Sequence, residues 1–322
     1  MRTKHLFIIF TVLFISTCVI IFLYIRANIG IAAQFTDNVL RPILGNQTVG
    51  TLEKTYFNTT DKMQMAIHSN QTVPLDEQQW KTITPEISYK KVKSDLNRPY
   101  SVTTLAKIKM NGLILGDVAG KSQPGGPIGN YGPGKIPSTI ARSRLIAAFD
   151  GGFQYKDGKY GMIVDGITYL PLKNNIGTIV GYKNGQIQII NYQGQNLGSN
   201  VAFVRQNCPI LIENGQVFAQ NEEDKKLWGR TFGSDIYTWR SGLGIDKNGN
   251  LIYAVGNNLS PVSLASALTM GGAVNAIQLD INPFWVRFNL FNPNKTLTQD
   301  LKDGSYVFLN GYSKDFFYIY KI

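Results

Sequence analysis

The sequence predicts an α+β protein: a hairpin-rich, mainly antiparallel sheet domain with a few packed helices, preceded by one transmembrane helix. Three observations carry this. Asn-Gly and Asp-Gly pairs recur at Asn111, Asp157, Asp165, Asn184, Asn214, Asn248, Asp303 and Asn310, whereas residues 1–110 contain none. Such pairs supply the positive φ angles that two-residue hairpin turns demand. The stretch "LFIIFTVLFISTCVIIFLYI", Leu6 to Ile25, is twenty residues without a charge, enough at about 1.5 Å per residue to cross about 30 Å of hydrocarbon. Finally, "SPVSLASALTMGG" (260–272) carries both the start and the stop signals of one helix.

Taken in order, the apolar segment has Arg2 and Lys4 before it and Arg26 after it, which favours a cytoplasmic N-terminus and an exported body. The small residues of "IGIAAQ" (29–34) leave cleavage by a peptidase as the alternative to a permanent anchor. The expected organisation is an anchor at 1–27, a stalk or linker at 28–97 and a body at 98–322. Within the stalk, "DEQQWKTI" (76–83) suits a short helix, and "YKKVKSDLNR" (89–98) is basic enough to lie near anionic headgroups. In the body, "TIVGY" with "QIQIINY" and "PILIE" with "QVFAQ" each read as strand, turn, strand. "PSTIARSRL" (137–145) has the start of an amphipathic helix. In 260–272, Ser260 can cap the first amides, Pro261 suits the first helical position, Leu264, Ala265 and Leu268 form a stripe, and Gly271 and Gly272 end it. The strand "AVNAIQLD" follows.

Composition narrows the function classes. The formal charge is +11, but charged residues are only 16% of the chain and the basic ones are scattered, which favours anionic surroundings or substrates. No zinc-ligand set, basic zipper or RNA-recognition aromatic motif accompanies the charge, so no nucleic-acid partner is expected. The two cysteines, Cys18 and Cys208, are not placed to pair, since Cys18 lies in the apolar segment. His5 and His68 are the two histidines and both precede the body, which removes histidine triads and histidine-rich metal sites from it.

Three stretches could carry chemistry. "AIQLDINPFWVRF" (276–288) begins as a buried strand and ends on Asp280, followed by Asn282, Trp285 and Arg287. "LIAAFDGGF" (145–153) is a second apolar strand ending on a carboxylate, Asp150. There Gly151 and Gly152 let the backbone turn sharply or approach a ligand ahead of Phe153, and the competing reading is a tight turn capped by the aspartate. "YTWRSGLGIDKNGNLIYAV" (237–255) is a hairpin in which Arg240 and Ser241 precede a glycine. The planar fork of arginine suits phosphate and carboxylate oxygens, a surface salt bridge being its commoner use.

In order and spacing, Asp-Gly-Gly-Phe, "CPILIENG", Arg-Ser-Gly-Leu-Gly-Ile-Asp, a helix, Gly-Ala-Val-Asn-Ala and Leu-Asp, the chain resembles the phosphodiester glycosidase family from about residue 100 to 320. Members hydrolyse the bond between a sugar's anomeric carbon and a phosphodiester, commonly outside the cytoplasm. The resemblance implies a catalytic set of Asp280 as base or nucleophile, Arg240 holding phosphate, and Asp150 stabilising the sugar or binding a divalent cation; no other cofactor is implied. Gly151, Gly152, Phe153, Ser241, Asn282, Trp285 and Arg287 become substrate-binding candidates. Two departures stand out. The family's first asparagine is Asp150 here, and the glycine run that follows Leu-Asp is replaced by "INPFWVRF". Trp285 could stack on a sugar and Arg287 bind phosphate where bare amides once did. The expected partners are a glycan phosphodiester and, through the N-terminal helix, a membrane. The alternative is a module on the same fold that binds anionic glycan without cutting it.

Overall fold

The structure is a computed structural model that describes residues 39–45, 47–49, 51–52, 55, 59, 73, 77–129, 131–219, 225–229, 236–283, 285–298 and 304–322. The expected transmembrane segment lies outside them; among the described residues, no helix is long and apolar enough to cross a membrane. The chain divides into two compact units, 1–58 and 59–322. The first contributes a short helix, Arg41–Leu44, and further helical residues at 47–49, 51–52 and 55. The second holds three sheets in which every strand pairing is antiparallel.

With strands numbered along the chain, the largest sheet runs β1 (Lys81–Thr82), β2 (Ile87–Val92), β3 (Thr103–Ile108), β14 (Leu251–Leu259), β13 (Thr238–Asp246), β15 (Ala273–Ile281), β11 (Ile210–Glu213), β12 (Gln216–Val217). A second is ordered β7 (Ile167–Leu170), β6 (Met162–Val164), β10 (Val201–Gln206), β8 (Ile176–Tyr182), β9 (Ile187–Tyr192). The third is ordered β17 (Asn294–Thr296), β16 (Phe288–Phe291), β5 (Leu145–Asp150), β18 (Phe316–Lys321), β4 (Leu113–Val118). One core draws on all three, with Phe149, Phe203, Tyr253, Ile277, Leu279 and Phe317 among its buried members. Each such side chain gains about 1.5–3 kcal/mol from leaving water. The helix Pro261–Gly271 packs on the other face of the largest sheet, its Leu264 and Leu268 clustered with Leu105, Ile252 and Ala254.

Hairpins form where the turn pairs predict them: Asn184-Gly185 joins β8 to β9, Asn214-Gly215 joins β11 to β12, and Asp165-Gly166 joins β6 to β7, with Asp165, Asn214 and all three glycines at positive φ. Asn111-Gly112 instead carries the chain from β3 in one sheet to β4 in another. The helix at 260–272 is as expected, with Ser260 and Ser263 forming a reciprocal capping box and Gly272 closing it in the left-handed region.

Two expected helices are absent. Residues 76–83 include the start of a hairpin, β1 to β2, closed by the Ile83 amide donating to the Ile87 carbonyl at 2.8 Å. Both strands belong to the largest sheet, although they fall in the stretch read from sequence as a stalk. Residues 137–145 make turns and one 3-10 segment, Arg142–Arg144, because Leu145 already starts β5, a strand buried along its whole length. Pairing of that strand on both sides outweighs a weak local helix preference.

Candidate active site

Asp150 ends β5 and Asp280 lies one residue from the end of β15. Between β13 and β15, Arg240 faces Ile281 and Gly242 faces Gln278, so Leu279 and Asp280 together oppose the single residue Ser241. Two residues against one is a β-bulge, which bends the strand and re-aims a side chain. Strict alternation would have put Asp280 on the side of Gln278, toward the helix. The bulge instead delivers it to Lys314, on the loop that enters β18.

Asp150 is buried and saturated. Ser241 Oγ and the Asp280 amide donate to its Oδ2, the amide at 3.2 Å, while the Tyr253 hydroxyl (2.6 Å) and the Arg287 amide (3.1 Å) donate to Oδ1. Burial pushes this carboxyl above its ordinary range, against the pull of those donors. Four donors fill the four lone-pair directions of a carboxylate, so Asp150 knots β5 to β13 and β14 and has no site left for a cation or a sugar hydroxyl.

The glycines after it serve the same knot. The Gly151 amide donates to the Asp315 carbonyl (3.2 Å), the Gly152 amide to Asp315 Oδ2 (2.8 Å), and the Phe153 amide to Asn207 Oδ1 (2.9 Å). A Cβ on Gly151 would overlap the Asp315 carboxylate, and one on Gly152 the Arg205 guanidinium. Arg205 and Asp315 are themselves a buried ion pair at 2.9 Å. Phe153 is buried beside Tyr160, ring centroids 6.2 Å apart. None of these three amides is open to a ligand.

Arg240 does not join the acids. Ser241, which does, is its neighbour on a strand, and successive side chains point to opposite faces. Arg240, 1% exposed, donates from Nε to the Leu259 carbonyl (2.8 Å), from Nη1 to the Trp228 carbonyl (3.0 Å) and Gln278 Oε1 (2.7 Å), and from Nη2 to the Ile236 carbonyl (2.6 Å). It anchors the 236–240 segment on the helix side of the sheet.

The acids find other cations. Asp280, 3% exposed, has Oδ2 2.5 Å from Lys314 Nζ, close enough for an ion pair though poorly aligned as a hydrogen bond, and Oδ1 takes the Ile281 amide at 2.9 Å. Burial holds its pKa up at about 7, with Lys314 pulling it down and Asp150 pushing it up. Asn282 is a turn residue, at φ 74 with its amide on the Trp239 carbonyl and its own carbonyl taking the Trp285 amide. That turn brings the half-buried Trp285 ring to 4.8 Å from Lys314 Nζ.

Arg287, 4% exposed, lies 4.8 Å above the Tyr312 ring, and its Nε and Nη1 are buried without a hydrogen-bond partner among the described residues. The Tyr312 hydroxyl is likewise buried and unbonded. Burial raises the Tyr312 pKa, opposed by the charge of Arg287 and reinforced by that of Asp280, so these groups share one electrostatic neighbourhood. Tyr312 and Lys314 are the residues sequence reasoning missed. Their one signal is a polar "GYSKD" insert between an Asn-Gly turn and the apolar strand "FFYIY".

Residues 143–280 match the model of the phosphodiester glycosidase family. That segment belongs to this family. The phosphodiester glycosidase match takes in Asp150, Arg240 and Ser241 and ends on Asp280, so Trp285, Arg287, Tyr312 and Lys314 lie beyond it. No curated protein matches the chain. Among solved structures, the catalytic domain of zebrafish N-acetylglucosamine-1-phosphodiester alpha-N-acetylglucosaminidase, auto-inhibited by its pro-peptide, is 13% identical, with 75% of this chain and 85% of that one covered and a TM-score of 0.47. A hypothetical protein from Synechocystis is 14% identical over 78% and 64% of the two chains, TM-score 0.45. A putative exported protein from Burkholderia pseudomallei K96243 is 10% identical over 68% and 74%, TM-score 0.42. Likenesses this loose transfer no residue's role.

Proposed function

We propose that this chain hydrolyses a glycosyl phosphodiester, the bond between a sugar's anomeric carbon and a phosphodiester oxygen, in a surface glycan outside the cytoplasm, held to the membrane by its N-terminal segment. The family match supports the reaction class, and the uncharged stretch from Leu6 to Ile25 supports the location. The observation that carries the reading is Arg287: a buried guanidinium whose Nε and Nη1 are unbonded among the described residues, beside an equally unbonded tyrosine hydroxyl, with Asp280, its pKa raised to about 7, in the same electrostatic neighbourhood. Burying an unsatisfied charge is costly, and a phosphate oxygen seated there would satisfy both donors at once.

In this reading Asp280 takes a proton from water as the water oxygen bonds to the anomeric carbon. The carbon–oxygen bond breaks with its electron pair going to the phosphate, which leaves with a second negative charge beside Arg287 and Tyr312. Stabilising charge where it develops is the larger part of such catalysis, and a phosphate leaving group needs little help from a general acid. Trp285, at the outer edge, lines the sugar. Ionised, Asp280 serves equally as a nucleophile, and retention or inversion at the anomeric carbon tells the two apart.

The burial of Asp280 and Arg287 favours a second reading, a closed module that binds anionic glycan without cutting it. Turnover decides. The full-length protein incubated with a panel of sugar-1-phosphodiesters is expected to release free sugar, with Asp280→Asn lowering kcat at least about a hundredfold. A panel that binds but yields no sugar, or an Asp280→Asn variant as fast as the parent, rejects the hydrolase.

A further inference from the structure

Lys314 stands in a place where packing alone would favour an apolar side chain. It is 3% exposed, and the loop that carries it is clamped on both sides. The Tyr312 amide donates to the Gly134 carbonyl (2.6 Å), the Lys121 amide to the Tyr312 carbonyl (2.9 Å), the Ser122 and Gln123 amides to the Ser313 carbonyl (3.0 and 2.9 Å), and the Gly151 amide to the Asp315 carbonyl (3.2 Å). Gly120 lies so close beneath that a Cβ there would strike the Lys314 backbone. The ammonium therefore reaches Asp280 from fixed backbone, with the Trp285 ring over it at 4.8 Å. Buried ion pairs add little to stability compared with apolar residues of the same volume, so the pair asks for another reason to exist.

We infer that Lys314 is the positioning residue of the reacting carboxylate: it fixes Asp280 Oδ2 and keeps the acid ionised, and so sets the lowest pH at which the site turns over. This rests on Asp280 being the reacting group of the proposed hydrolysis. The charges felt at Asp280 are those of Lys314 on the clamped loop and Asp150 at the end of β5; the titratable groups that in turn feel Asp280 are Tyr253 on β14, Cys208 before β11 and Tyr312, the last also facing Arg287. Among them Lys314 is the cation on the carboxylate, and burial and Asp150 both work against ionisation. An ammonium has three N–H directions. The Asp280 carboxylate and the Trp285 ring meet its charge from two sides, and an N–H not spent on either can meet a substrate oxygen without breaking the pair.

Two measurements on the full-length protein test this. In the first, kcat/KM is followed against pH for the parent, Lys314→Gln and Lys314→Arg. The acidic limb is expected to move up by about 1–3 pH units in Lys314→Gln, the span an opposite charge at this range imposes on a carboxyl, and to stay near the parent's in Lys314→Arg. In the second, the Asp280 carboxyl carbon is titrated by NMR in 13C-aspartate-labelled protein, assigned by its loss in Asp280→Asn, with the same shift expected. An acidic limb and a carboxyl midpoint that are the same in folded Lys314→Gln as in the parent overturn the inference. Should Lys314→Gln not fold, Lys314→Met, which keeps the stem packed under Trp285, carries both measurements. Failure of the hydrolase itself shows separately, as a parent protein that cuts no substrate while the carboxyl titration still reports on Lys314.

Discussion

Arg287 and Tyr312 face each other at 4.8 Å, cation over ring, with two nitrogens of the one and the hydroxyl of the other buried and unbonded among the described residues. An aromatic face stabilises a desolvated cation by about 2 kcal/mol or more, less than the several kcal/mol that removing the cation from water costs. The remainder marks the pair as unfinished without an anion. Arg287→Met keeps the stem and removes the charge. It is expected to weaken binding of inorganic phosphate at least about tenfold, the ~1.5–3 kcal/mol of a charge-assisted hydrogen bond, and to raise stability in phosphate-free buffer. Isothermal titration and thermal melting read the two effects, and unchanged phosphate affinity would remove Arg287 from the site.

Gly152 separates a structural glycine from one that admits a ligand. Its missing Cβ makes room for the Arg205 guanidinium, which is paired with Asp315. Gly152→Ala should break that buried pair and cost about 3–5 kcal/mol, seen as a lower denaturant midpoint. If the glycine instead served substrate approach, KM would rise while the midpoint held.

Tyr253 tests the knot around Asp150. Its ring packs against Phe149 and Phe288, centroids 5.3 and 4.9 Å away, and only its hydroxyl reaches the carboxylate. Tyr253→Phe keeps the packing and deletes one of four donors, an expected loss of about 1.5–3 kcal/mol in urea unfolding. No loss would mean that Asp150 is neutral or otherwise served.

How much of this was legible in the sequence follows from which signals are local. Turn pairs, capping serines and apolar runs act over a few residues, and they gave the hairpins, the helix at 260–272 and the strands ending on Asp150 and Asp280. Adjacency of Arg240 and Ser241 also held a warning: on one strand they cannot both face the same acids, so gathering Arg240 with Ser241 and Asp150 was physically excluded once that strand was assigned. The bulge at Leu279–Asp280 has no such signature. Nor does the meeting of Asp280 with Lys314, which depends on how two sheets pack and on a loop held by backbone bonds to three other segments. Asn111-Gly112 shows the limit from the other side. The pair fixes a tight turn but not which sheet the next strand will join.

Asp117 offers a pH test away from the site. It sits on β4 opposite Phe317, two residues from Asp315 on β18's leading edge, and is 5% exposed with neither carboxyl oxygen hydrogen-bonded among the described residues. Burial raises its pKa well above the ordinary carboxylate value, Asp315 and Asp165 add to the rise, and Arg205 opposes it. A carboxyl that binds its proton more tightly when folded contributes fully below the unfolded value, about 3.9. That contribution is lost as pH climbs through the raised folded value, because a bare charge must then stay buried. Asp117→Asn removes the charge at nearly the same volume. The variant should match the parent near pH 4 and exceed it by about 1–3 kcal/mol at pH 7.5, read as a melting-temperature gap that opens with pH. A gap that is constant from pH 4 to 7.5, or one that favours the parent at the higher pH, would show that Asp117 is ionised and served in the folded protein.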